Sequence, residues 1–165
     1  MISQMIGVGK AHAKIILVGE HAVVYNQPAI AIPLTNLTVT TTIQPAFVGQ
    51  TIESNTFHGG LDELGANVEG LRQLILRLIT HFQLQKAPFT IEIDTNIPQE
   101  RGFGASAAFA TSITKAFFDF ANAPLSPEQL KYFTDLEESI SHGSASGLDA
   151  ATVNSTDPIW FVKND

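Results

Sequence analysis

The sequence predicts a single α+β domain in which strands and helices follow one another without strict alternation. Its 165 residues are enough for one domain with a real hydrophobic core. Apolar residues make up 44% of the chain and charged residues 15%, which is typical of a folded protein rather than a disordered one. Some segments alternate apolar and polar residues while others repeat at helical spacing, and an irregular mixture of the two favours α+β over a doubly wound sheet.

The first part of the chain is predicted to be mostly extended. Two short extended segments are expected over 6–9 and 14–19, and a longer one over 29–43, where Thr, Val and Ile are frequent. Residues 45–65 contain Gly, Pro, Asn and Ser, which predict turns around one short strand.

The clearest helix is predicted over 68–82, where Leu and Ile recur at three- and four-residue spacing. Residues 89–94 alternate apolar and polar side chains, as expected of a strand with one buried face. After a loop, a second helix is predicted over 105–122.

A third helix has a well-marked start. Ser126 can cap it, Pro127 suits the first helical position, and Gln129 completes a capping box. This helix is expected to run to about Ser141, and residues 160–162 are expected to form a last strand.

Charge and composition disfavour several classes of function. The net charge is -7 and no basic run is present, which argues against nucleic-acid binding. The chain has no Cys, which excludes disulfides and a thiolate nucleophile and fits a cytoplasmic protein. The first residues do not resemble a signal peptide, and no apolar run approaches the ~20 residues of a membrane span, so no membrane association is expected.

A glycine-containing segment, RGFGASAA at 101–108, precedes the second predicted helix. Glycines allow close approach of a ligand, and the free N–H groups at a helix start favour a phosphate, although the same residues also suit a tightly packed helix entry. The Walker A motif is absent, because Gly9-Lys10 is followed by Ala11. The Rossmann fingerprint is matched formally at 102–107, but its strand and acidic residue are missing. The segment is also not a G-x-S-x-G elbow.

Two other segments contain residues suited to catalysis. An aliphatic run at 14–18 has Lys14 at its start and is followed by GEHAVVY at 19–25, a pattern that also fits a buried strand ending in a polar turn. Glu138 and His142 lie one helical turn apart, and a Gly/Ser loop then leads to Asp149. A zinc pair, a surface pair and a solvated turn all remain open for this third segment.

Together, in order and spacing, the three segments resemble the GHMP kinase superfamily, named for galacto-, homoserine, mevalonate and phosphomevalonate kinases. Within it, GEHAVVY is similar to the signature of the mevalonate kinases. The resemblance implies a two-layer α/β sandwich like ribosomal protein S5 domain 2, with a left-handed βαβ crossover. It also implies transfer of a phosphoryl group from ATP, with Mg²⁺, to the primary hydroxyl of mevalonate.

The resemblance also implies roles for individual residues. Asp149 would accept the proton of the attacking hydroxyl and Lys14 would steady Asp149. Glu20 and His21 would line the substrate pocket, and Ser106 and Glu138 would bind Mg²⁺. The ATP phosphates would be held by the loop residues Arg101, Gly102, Phe103, Gly104, Ala105, Ser106 and Ala107.

By this resemblance, residues 1–165 form the N-terminal ATP-binding and catalytic domain of such a kinase. The C-terminal domain of the family, with its third glycine-rich motif, is not in this sequence. A separate C-terminal half or a homo-oligomer is therefore an expected partner. The alternative functions are another GHMP kinase, such as a phosphomevalonate kinase, and a catalytically incomplete nucleotide-binding or interaction domain.

Overall fold

The computed structural model describes residues 5–99, 102–143 and 146–163, and its fold is α+β, as predicted. A mixed sheet contains the strands β1 (Gly7–Val18), β2 (Ala29–Pro45), β3 (Gln50–Ser54), β4 (His58–Gly60), β5 (Phe89–Thr95) and β6 (Ile159–Phe161). The α-helices are α1 (Glu69–His81), α2 (Ala105–Phe120), α3 (Pro127–His142) and α4 (Leu148–Thr152). Short 3-10 turns cover Ala22–Tyr25, Leu61–Glu63 and Ala66–Val68.

The long strand β2 organises the sheet, whose order is β1-β2-β5-β3-β4. On one side β2 pairs with β1, and on the other its first residues pair with β6 and its last ones with β5. All these pairs are antiparallel, whereas β3 and β5 are parallel and are connected through β4 and α1. This connection is the βαβ crossover implied by the resemblance, and its left-handed sense stays a prediction.

The first strand is longer than the sequence predicted. Residues 6–9 and 14–19 were expected to be separate segments, but residues 10–13 also pair with β2 and complete a single strand. Ala11 and Ala13 are buried within it and alternate with the exposed Lys10 and the half-buried His12. The register with β2 shifts between His12 and Ala13, since their partners are Thr38 and Leu34 and residues 35–37 of β2 have no partner in β1.

Two further elements differ from the prediction. Residues 45–65 contain two strands, β3 and β4, instead of one, because a hairpin joins Thr51 to Gly60 and Glu53 to His58. The short helix α4 was not predicted, since its five residues are too few to show helical periodicity.

The helices cover one face of the sheet, which gives the two layers implied by the resemblance. In β5, Phe89, Ile91 and Ile93 are buried, whereas the alternating Glu92 and Asp94 are exposed on the opposite face. Helix α2 packs on β1 and β2, and α1 and α3 pack around it. None of the described helices is long and apolar enough to cross a membrane.

Helix α2 lies very close to β1, and this contact positions the candidate site. A side chain at Gly9 would lie 1.9 Å from the carbonyl oxygen of Ser112, so only glycine permits the approach. The outer edge of β1 is also tied to the helical layer, because the Val8 N–H donates to Asp119 Oδ2 at 2.8 Å. The start of α2 is thereby held beside the second half of β1.

The predicted capping box is confirmed at the start of α3. Ser126 Oγ accepts a hydrogen bond from the backbone N–H of Gln129 at 3.1 Å, and Gln129 Oε1 accepts one from the backbone N–H of Ser126 at 3.0 Å. This reciprocal pair begins α3 at Pro127, one residue after the cap.

Candidate active site

Lys14 is a buried cation at the centre of the candidate site. Strand β1 carries it into the interior, where only 3% of its side chain is exposed. Its Nζ lies 2.8 Å from Oδ1 of Asp149, and its backbone N–H donates to the carbonyl oxygen of Phe103 at 2.9 Å. Lys14 thus connects its own segment to the other two segments identified in the sequence.

Asp149 lies in the first turn of α4, two residues after a left-handed residue, Gly147, with φ of 82°. The neighbouring Leu148 is 1% exposed and anchors this turn in a small apolar cluster. Asp149 itself is 33% exposed. One carboxylate oxygen is therefore paired with Lys14 while the side chain still reaches the cleft, where it can accept a proton.

The loop before α2 is shaped around Lys14. Gly104 has φ of 67°, a left-handed conformation that favours glycine. A Cβ atom at this position would lie 2.7 Å from Cε and 2.8 Å from Cγ of Lys14, so the lysine stem occupies the space that any side chain would need. Helix α2 begins at the next residue without a side-chain cap, which leaves its first N–H groups available to an anion.

The predicted phosphate-loop residues divide into two groups. Gly102, Gly104, Ala105 and Ser106 line the cleft. Phe103 and Ala107 instead pack against the main core. Arg101 lies outside the described residues.

Ser106, in the first turn of α2, is hydrogen-bonded to a carboxylate that was not singled out from the sequence. Its Oγ donates to Oε1 of Glu137 at 2.6 Å. Glu137 is 1% exposed and also accepts a hydrogen bond from Ser141. One pattern in the sequence does point to it, since Glu137 follows the buried Phe133 by one helical turn and therefore shares the buried face of α3.

Glu138, the next residue of α3, faces the cleft. Its Oε1 accepts the backbone N–H of Ser146 at 3.3 Å, and its Oε2 is buried without a hydrogen-bond partner within the described part of the chain. Burial raises the pKa of the Glu138 carboxyl above its ordinary value of 4.5, and the carboxylates of Asp149 and Asp135 raise it further. The Ser146 N–H acts in the opposite direction.

These residues fit a divalent cation. Carboxylate and hydroxyl oxygens are the ligands that Mg²⁺ prefers. The unpartnered Oε2 of Glu138 would gain a partner if it bound such a cation. Within residues 5–99, 102–143 and 146–163, no group of three His, Asp or Glu side chains forms a metal centre on its own. A cation here would therefore also need oxygen ligands from a bound nucleotide or from water.

The two residues predicted to bind substrate are placed differently. Both lie in the turn between β1 and the 3-10 turn at Ala22–Tyr25. Glu20 lines the cleft, whereas His21 is exposed and is not among the described residues that line it.

The cleft that unites these groups has a volume of about 670 Å³ and is open to solvent. Its size suits the phosphates of a nucleotide together with a small substrate. The structure brings together at its walls the predicted residues Lys14, Glu20, Gly102, Gly104, Ala105, Ser106, Glu138 and Asp149.

Comparison with known proteins agrees with this arrangement. Residues 71–155 match the N-terminal domain of the GHMP kinases, which is just over half of the chain. The chain therefore belongs to the GHMP kinase family.

Among its relatives are several mevalonate kinases. The chain is 26% identical to the mevalonate kinase of Saccharolobus solfataricus over 158 residues, which are 92% of this chain and 50% of the relative. It is 31% identical to the mevalonate kinase of Methanothermobacter thermautotrophicus over 147 residues, or 86% of this chain and 45% of that protein. The chain thus spans about half the length of the curated relatives that it matches, and corresponds to their N-terminal portion.

Solved structures show the same similarity. Mevalonate kinase from methicillin-resistant Staphylococcus aureus superposes with a TM-score of 0.75 at 33% identity, covering 98% of this chain and 54% of that one. The mevalonate kinase of Methanococcus jannaschii gives a TM-score of 0.79 at 26% identity, covering 99% and 55%. The predicted fold, the N-terminal domain of a GHMP kinase, is confirmed.

Proposed function

We propose that this chain provides the phosphate-binding and catalytic half of an enzyme that transfers the γ-phosphoryl group of ATP to the primary hydroxyl of mevalonate. The observation that carries the proposal is the pairing of Lys14 with Asp149 at 2.8 Å, beside the uncapped start of α2. The similarity to mevalonate kinases supports the choice of substrate.

In this reaction Asp149 takes the proton of the attacking hydroxyl. The buried ammonium of Lys14 holds the Asp149 carboxylate in place and stabilises negative charge as it develops on the substrate oxygen. Glu20, at the cleft wall, contributes to the substrate pocket, with His21 as its expected neighbour.

The phosphate groups of ATP are held at the start of α2. The backbone N–H groups of the first turn and the helix dipole favour negative charge there, and Gly102 and Gly104 allow the backbone to approach closely. Ser106 and Glu138 would hold Mg²⁺, which neutralises phosphate charge when it is bound. Phosphoryl transfer depends mainly on such positioning and charge neutralisation, so one well-placed carboxylate is enough as a base.

The proposal is tested by incubating the 165-residue chain with Mg²⁺, ATP and mevalonate and searching for phosphomevalonate by mass spectrometry. Phosphomevalonate is offered as a substrate in parallel, because a phosphomevalonate kinase would prefer it. Asp149→Asn should abolish product formation, whereas Asp157→Asn, which changes an exposed aspartate outside the cleft, should not.

Binding of a fluorescent ATP analogue to the same chain separates the two parts of the proposal. Binding without phosphorylated product would retain the nucleotide site and reject transfer to mevalonate by this chain on its own. A folded chain that neither binds the analogue nor forms product would reject both parts.

A further inference from the structure

The carboxylate of Glu137 is almost completely buried between helices, where its hydrogen-bond partners are hydroxyl groups. Its Oε1 accepts a hydrogen bond from Oγ of Ser106, at the start of α2, over a distance of 2.6 Å. It accepts a second one from Oγ of Ser141, in the next turn of α3. No cationic side chain forms an ion pair with it in the part of the chain that the structure describes. A buried carboxylate requires such donors, because an unsatisfied one would be strongly destabilising.

This bond determines what Ser106 can offer to the cleft. An ionised carboxylate only accepts hydrogen bonds, and a serine hydroxyl has a single proton to donate. With that proton directed at Glu137, the cleft-lining Ser106 oxygen presents lone pairs to a ligand. Lone pairs suit a cation, whereas a phosphate oxygen would need the proton.

Glu137 and Glu138 are consecutive in α3 and therefore face in different directions. Glu138 lines the cleft with an unpartnered Oε2, while Glu137 lies behind Ser106, 1% exposed. We propose that Glu137 is a positioning residue that fixes Ser106 as an oxygen ligand for the divalent cation accompanying the nucleotide. This inference rests on the function proposed above and assigns a further residue to it.

The packing around Glu137 supports a fixed orientation. Gly70 in α1 lies so close that a Cβ atom there would be 2.2 Å from Ser141 Oγ and 2.9 Å from Glu137 Oε1. Glu137 therefore has little room to rotate away from Ser106, and α1 contributes to holding it in place.

The test is a titration of the chain with Mn²⁺, a paramagnetic substitute for Mg²⁺, in the presence of a non-hydrolysable ATP analogue. Free Mn²⁺ is measured by electron paramagnetic resonance. Glu137→Met fills the buried site without an acceptor and should weaken Mn²⁺ affinity about tenfold, equivalent to ~1.4 kcal/mol. Glu137→Gln retains an acceptor oxygen and should restore most of this affinity.

Two further variants separate positioning from general damage. Ser141→Ala removes the other hydroxyl bonded to Glu137 but leaves the Ser106 bond, so it should change Mn²⁺ affinity less than twofold. Ser106→Ala should bind Mn²⁺ as weakly as Glu137→Met does. The double variant should bind Mn²⁺ no more weakly than either single variant, because the two residues act through one ligand. Affinity for the ATP analogue in EDTA should be the same in Glu137→Met and Glu137→Gln as in the wild-type chain.

Several results would overturn the inference. Unchanged Mn²⁺ affinity in a folded Glu137→Met variant would do so, as would additive losses in the double variant. If Glu137→Met does not fold, Ser106→Ala with wild-type Mn²⁺ affinity is enough to reject it. In each case, binding of the ATP analogue and Mn²⁺ by the wild-type chain would leave the proposed function intact. A wild-type chain that binds no nucleotide would reject both the proposed function and this inference.

Discussion

The ion pair of Lys14 and Asp149 joins a lysine that is 3% exposed to an aspartate that is 33% exposed. The two partners therefore depend on each other unequally. If Asp149 is removed, a buried ammonium is left unpaired, whereas if Lys14 is removed, the carboxylate can still contact water.

We accordingly expect Asp149→Ala to destabilise the fold by about 3–5 kcal/mol, and Lys14→Met, which keeps the apolar stem, by only about 1–2 kcal/mol. Urea unfolding at neutral pH measures both, with Asp157→Ala as an exposed control. Equal losses for the two variants would show that the burial of Lys14 does not dominate the pair.

Gly104 is expected to tolerate no side chain. Gly104→Ala should cost about 1–3 kcal/mol from its backbone conformation alone, and the collision with Lys14 should add to this. Gly49→Ala is the matched control, because Gly49 has a similar φ of 73° but no atom within 4 Å of the added Cβ. Unfolding should show a larger loss at Gly104, and only that variant should lose ATP affinity. Equal losses would mean that Lys14 simply moves aside.

The ionised carboxylate of Glu138 is expected to destabilise the fold at neutral pH, because it is partly buried. Because burial raises its folded-state pKa above 4.5, its contribution is fully present at low pH and is lost as the pH rises through the raised pKa. Glu138→Gln should therefore raise the melting temperature at pH 7, with the difference vanishing below about pH 4. The same variant should bind Mn²⁺ more weakly. A lower melting temperature at pH 7 would contradict the raised pKa.

Ser126 is expected to contribute as a helix cap. Ser126→Ala should destabilise the fold by about 1 kcal/mol, since it removes the acceptor for the Gln129 N–H. Ser139→Ala makes the same change at an exposed position inside α3, where alanine is the better helix former, and should be neutral or slightly stabilising. The changes in the free energy of unfolding that the two substitutions cause, measured in urea, should differ in sign or clearly in size.

Local features of the chain were predictable because their causes are local. The capping box at Ser126 and Gln129 depends on four neighbouring residues, and the helix over Glu69–His81 on the spacing of its own Leu and Ile side chains. The start of α2 at Ala105 follows similarly from the glycines before it. Motif order and spacing were sufficient to indicate the family and most of the cleft residues.

Strand pairing was less predictable, because it depends on distant partners. Residues 10–13 alternate polar and apolar side chains, but their apolar members are alanines, which are not strong strand formers, and pairing with β2 is what makes them part of β1. The hairpin of β3 and β4 is defined in the same way by the pairing of Thr51 with Gly60.

The sequence by itself determined which residue types are available for phosphate binding and proton transfer, and where the helices that carry them begin. Only the tertiary structure decided that Lys14 is buried against Asp149, and that Glu137 faces Ser106 while Glu138 faces the cleft. The physical reason is that the rotation of α3 about its own axis is set by its packing against α1 and α2, which no local pattern specifies.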